Sequence, residues 1–172
     1  LAAEYPDIAG LILLSPNIEI NDSKAWLLNN HWGLQIAKAV AGTYRKASDT
    51  TAIYAQYWNN RYRIESTVQL EELLESTMKK STFEKVNQPT LLLYYYKDEE
   101  HQDPVVKVSA MKRMFSQLGT ADSLKREVAL PNTGDHVIGS YIKSKDVQSV
   151  VKETEKFARE ILHLREISDN NP

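Results

Sequence analysis

Three stretches of the chain are apolar without alternation. They are Ala9–Leu14, closed by Ser15-Pro16-Asn17; Thr90–Tyr96, introduced by Gln88-Pro89; and Glu127–Leu130. A strand with only one buried face would alternate apolar and polar positions, so continuous runs predict buried parallel strands covered by helices on both faces. The intervals carry the helical period instead. Val108, Met111, Phe115 and Leu118 share one face and precede Gly119, a natural C-cap. A last helix opening near Ser144 aligns Val147, Val150, Val151, Thr154, Phe157, Ala158, Ile161 and Leu162. Leu1–Tyr5 reads as the end of a helix, because the residue before Pro6 is pushed out of the helical region. The pattern is that of an α/β protein with a mostly parallel sheet flanked by helices.

The interval between the first two runs differs. Ile36, Val40 and Tyr44 follow a helical repeat, as do Leu70, Leu73, Leu74 and Thr77, and all three tryptophans lie here. We expect a helical cap insertion over residues 17–82, on a core made of residues 1–16 and 83–167, with residues 168–172 a disordered polar tail. The segment Tyr54–Tyr62 has aromatics on more than one face, so Trp26, Trp32, Tyr57 and Trp58 are candidates for lining a substrate pocket. The alternative is that they only pack the insertion onto the core.

Composition narrows the function classes. The 172 residues, 42% of them hydrophobic, are enough for a substantial core. The 21 basic and 23 acidic side chains are interspersed, and no basic stripe suited to nucleic acid exists. The apolar runs are too short to span a bilayer. Without cysteine there is neither a disulfide framework nor thiolate chemistry. Localisation stays open, with the cytoplasm as the default expectation.

Candidate chemistry sits at strand ends. Pro131-Asn-Thr-Gly134-Asp135-His136 follows the third run, so His136 falls at the C-terminal edge of a parallel sheet, where such sites are built, and Gly134 permits a tight approach. An imidazole there can accept and return a proton. His31, His101 and His163 read as surface-loop histidines, and Glu99, Glu100 and Asp135 as solvated charges. His101 and Asp103, with Asp98 and Glu99, match no metal-site spacing, and Gly134–Gly139 lacks the lysine of a phosphate loop. Neither a metal nor another cofactor is expected.

The order of these elements resembles the C-terminal half of an α/β-hydrolase of the serine hydrolase superfamily: helix end, strand with Ser-Pro, helical insertion, Pro89-Thr-Leu-Leu-Leu strand, acidic loop, helix, strand, Gly134-x-His136 and final helix. The resemblance covers nearly the whole chain and rests on element order more than on any short motif. It implies a triad in the chain order Ser, Asp, His, with His136 as the base. For the acid, a forward count from Pro89 points to Asp98. The pattern Asp103-Pro-Val-Val points to Asp103, which we favour. None of the glycines at 10, 33, 42, 119, 134 and 139 belongs to a Gly-x-Ser-x-Gly elbow, so the resemblance places the nucleophile and oxyanion hole upstream of Leu1.

The implied parent is a cofactor-independent, esterase-like or lipase-like hydrolase of small-molecule acyl esters. The present chain alone would be inactive, and its exposed sheet edge would favour a homo-oligomer or pairing with the missing N-terminal half. Two other readings are a non-catalytic binding module on the same scaffold, and a relative with an Asp nucleophile.

Overall fold

The computed structural model describes residues 1–47 and 49–166. β1 (Leu11–Leu14) is followed by an insertion holding α1 (Gly33–Ala41), β2 (Tyr44–Lys46), α2 (Ala52–Tyr57), β3 (Arg61–Arg63) and α3 (Ile64–Thr77). Then come α4 (Lys80–Phe83), β4 (Thr90–Tyr94), α5 (Val108–Ser116), β5 (Lys125–Ala129) and α6 (Val147–Glu160). The main sheet has the order β1-β4-β5 and both pairings are parallel, with Leu13 opposite Leu92 and Leu93 opposite Val128.

The sheet is centred on β4, whose five residues are all buried. Alternation sends Leu92 and Tyr94 to one face, where they meet Val108, Met111, Met114 and Phe115 around α5. Leu91 and Leu93 point the other way, onto Val150 and Phe157 of α6. A helix on each face explains why this strand does not alternate apolar and polar positions. Before β1, the Tyr5 amide donates to the Leu1 carbonyl at 2.9 Å, closing one helical turn. The buried Gln88 amide ties that turn to the entry of β4 by donating to the Ala2 carbonyl at 2.9 Å.

Four expectations require correction. The outer strands are not fully buried: Ile12 and Leu14 are 41% and 42% exposed, because α6 packs over β4 and only partly screens that side of β1. Gly119 is not the cap of α5, which ends at Ser116 with Gln117 in the cap position. Glycine is needed there for space, since a Cβ would stand 2.4 Å from the Glu84 carbonyl oxygen. Asp146 rather than Ser144 caps α6, its carboxylate accepting from the Ser149 amide at 3.1 Å; Ser144 Oγ accepts from the Asp146 amide at 3.2 Å. Finally, Tyr44 does not continue the helix of Ile36 and Val40. Gly42, at φ 77°, ends α1, and Tyr44 enters the antiparallel ribbon β2–β3 opposite Arg63.

The helical period of the insertion is otherwise observed in α1 and α3. Residues 168–172 lie outside the described residues. Among the described residues, no helix is long and apolar enough to cross a membrane.

Candidate active site

Both loops that follow the C-terminal ends of β4 and β5 bring a titratable side chain to the same point. The first loop turns back on itself through a bridge between Tyr96 and Gln102, and the Asp103 amide donates to the Tyr95 carbonyl at 3.1 Å. Asp103 is thereby folded under the sheet edge and is 1% exposed. Its Oδ1 accepts from the backbone amides of Val105 at 2.9 Å and Val106 at 3.0 Å. Its Oδ2 faces His136 Nδ1 at 2.9 Å. Burial pushes the Asp103 carboxyl up, but the hydrogen bonds from His136 and from the Val106 and Val105 amides outweigh it and hold the group below the ordinary carboxylate range. An ionised carboxylate only accepts, so Nδ1 carries the proton and donates.

The His136 loop is held from within. Thr133 is fully buried and its hydroxyl donates to the Leu130 carbonyl at 3.0 Å. Gly134 takes φ 72°, a left-handed conformation that turns the chain toward Asp135. Asp135 then accepts from the Val137 amide at 2.9 Å. The imidazole is left about one quarter exposed, with Nε2 directed away from Asp103. A neutral imidazole of that tautomer presents an acceptor at Nε2, which is what a general base requires.

Asp98 stands elsewhere. Its Oδ1 accepts from the Glu100 and His101 amides and pairs with His101 Nδ1 at 2.7 Å, at the surface. It closes the tight turn of the loop. The structure brings Asp103, and not Asp98, to His136.

Of the four aromatic candidates, Trp58 stacks on Tyr54 with ring centroids 5.0 Å apart, and Tyr57 meets Trp58 edge-on. Trp32 is exposed where α1 begins, and Trp26 is exposed beside a polar cavity between the insertion and α5. A larger and more apolar cavity, about 670 Å³, is lined instead by aliphatic residues including Leu27, Ile36, Val40, Ile64, Leu70 and Val105. That is why the helical stripes of α1 and α3 leave Ile36, Val40 and Leu70 accessible: they face this cavity. Asn17, just past β1, and Val105, two residues beyond Asp103, bring its lining to the C-terminal edge of the sheet, although neither Asp103 nor His136 lines it. β1 is followed by Ser15 at φ 45°, whose buried Oγ, like Asn17 Oδ1, has no hydrogen-bond partner among the described residues.

One tether between insertion and core escaped the sequence reading. Lys143, beyond the His136 loop, donates to Asp49 Oδ2 at 2.7 Å and lies over the Tyr54 ring. This contact, with the Thr51 amide and hydroxyl, lowers the Asp49 carboxyl to about 2. Nothing in sequence spacing marks such a pair, which spans 94 positions.

No protein-family model and no curated protein sequence matches the chain. Solved structures do. A structure from work on the metagenome-derived lipolytic enzymes LipS and LipT superposes with a TM-score of 0.66 at 13% identity, over 92% of this chain and 58% of that one. The monoacylglycerol lipase of Paleococcus ferrophilus gives 0.59 at 15%, over 91% and 61%. A soluble variant of the monoglyceride lipase from Saccharomyces cerevisiae gives 0.55 at 13%, over 87% and 55%. The chain thus spans between 55% and 61% of the length of these structures. At such identities the likeness speaks for the fold alone: a mostly parallel sheet with flanking helices, matching part of an α/β-hydrolase fold.

Proposed function

On that fold, we propose that His136 and Asp103 are the base and the orienting acid of a Ser-His-Asp hydrolase acting on acyl esters. The nucleophilic serine and oxyanion donors would come from a segment outside these 172 residues. The observation that carries this reading is the buried carboxylate of Asp103 bonded to His136 Nδ1 at 2.9 Å, with both residues on loops at the C-terminal edge of the sheet. In such an arrangement Nε2 takes the serine proton as the hydroxyl attacks the ester carbonyl and returns it to the departing alcohol. The imidazole then activates water against the acyl-enzyme. The carboxylate keeps the reactive tautomer in place and stabilises the imidazolium that forms.

The cavity that Val105 lines, two residues from Asp103, supports an ester whose acyl or alcohol part is apolar, since aliphatic side chains make up most of its surface. The lipolytic activity of the structural neighbours is consistent with that. The deciding test is hydrolysis of p-nitrophenyl acetate and octanoate by the protein that contains this chain and by its His136→Ala variant. Loss of about 10³-fold or more in kcat with the histidine is expected. Turnover indifferent to His136 would sink the reading, and absence of turnover on any acyl length would favour a binding module on the same scaffold.

A further inference from the structure

A second cavity lies between α3 of the insertion and α5 of the core, with a volume of about 460 Å³. It contains neither His136 nor Asp103. Its wall carries Glu71, which is 6% exposed and whose Oε2 is fully buried with no hydrogen-bond partner among the described residues. A buried carboxylate oxygen with no donor is unfavourable unless a ligand or ion completes it or the group takes up a proton.

The cations near Glu71 are already engaged. Lys107 and Arg113 both bind Glu19, Arg113 at 3.0 Å, and Lys80 leans toward Glu84 at 3.5 Å. Among the described residues, Glu75 receives only the Asn29 side-chain amide, at 2.6 Å. The α3 side of the cavity therefore holds two carboxylates, Glu71 and Glu75, without a counter-ion among the described residues. Burial, with the like charges of Glu75 and Glu19, pushes the Glu71 carboxyl up, while Lys107 opposes that only weakly. Leu74 and Phe83, both buried, add apolar wall beside the carboxylates, and Trp26 stands exposed at the cavity.

The geometry points to a binding site for a small organic cation, an ammonium or amidinium head on an apolar body, with the head on Glu71 and the body against Leu74 and Phe83. A metal ion is a poorer fit, because no group of three or more His, Cys, Asp or Glu side chains among the described residues is placed to hold one. This inference stands apart from the hydrolase reading, because it uses neither the His136–Asp103 pair nor the aliphatic cavity.

The test is calorimetric titration of the protein with 2-phenylethylammonium and with the neutral 2-phenylethanol, with amide chemical shifts used to locate binding. The amine is expected to bind at least tenfold more tightly than the alcohol, to shift residues of α3 around Glu71, and to lose at least tenfold in affinity in Glu71→Gln, which keeps the side-chain shape. Met78→Trp, which fills the cavity but leaves Glu71, should also abolish binding. Equal affinity for amine and alcohol, undiminished binding by Glu71→Gln, shifts confined to other surfaces, or no binding would each overturn the proposal.

Discussion

Asp103 and His136, separated by 33 positions, meet at 2.9 Å because each occupies a loop leaving the C-terminal end of one of two neighbouring parallel strands. The acid is fully enclosed and the imidazole partly open, so the pair has a fixed inner end and an accessible outer one. Its consequences can be measured separately.

Replacing Asp103 by Asn removes the charge and permits the wrong histidine tautomer. We expect kcat on p-nitrophenyl esters to fall by about 10³- to 10⁴-fold with little change in KM. Asp98→Asn, altering a surface turn bonded to His101, should stay within about threefold. Steady-state kinetics of the two variants side by side decides which acid serves His136, and a larger loss in Asp98→Asn would reverse the assignment.

The lowered Asp103 carboxyl also ties folding to pH. Because the folded protein favours the ionised form more than the unfolded chain does, the associated stability is present above the unfolded value, about 3.9. It fades as pH drops through the lower folded value. Urea midpoints of the parent and Asp103→Asn should therefore differ most near neutrality, begin to converge below about pH 4 and meet only below the lower folded value.

Gly134 sits at φ 72°, and a Cβ placed there would meet nothing closer than the Lys145 side chain at 3.4 Å. The cost of Gly134→Ala is thus conformational, about 1 kcal/mol of stability by denaturant titration. Since the loop relaxes two residues before His136, the loss in kcat should exceed what that destabilisation explains.

Ile36 faces the aliphatic cavity although it is one of the exposed large apolar residues. Ile36→Ser should lower kcat/KM for the octanoate ester roughly tenfold, corresponding to lost apolar burial of a methylene or two, and leave the acetate ester nearly unchanged. Comparable effects on both esters would show that the acyl chain lies elsewhere.

Phe157 is fully buried against the β4 face that carries Leu91 and Leu93. Phe157→Ala should cost about 3–5 kcal/mol in unfolding free energy, enough to unfold a marginal domain.

The sequence by itself determined the parallel sheet and its helices, because continuous apolar runs and 3.6-residue stripes are local consequences of burial on two faces or one. It also marked His136, since a strand followed by Gly134-x-His136 is a local arrangement. Gly119 and Asp146 show the limits of local cues: one glycine serves a close backbone approach instead of a cap, and the cap fell two residues past the serine. The acid could not be chosen by counting, because Asp98 and Asp103 share one loop and only its reversal at Tyr96–Gln102 turns one outward and the other under the sheet. Likewise the aliphatic cavity, the unpaired Glu71 and the Lys143–Asp49 tether arise where the insertion meets the core. Such contacts join residues far apart in the chain, and their distances are set by how packed layers settle against each other, which no periodicity encodes.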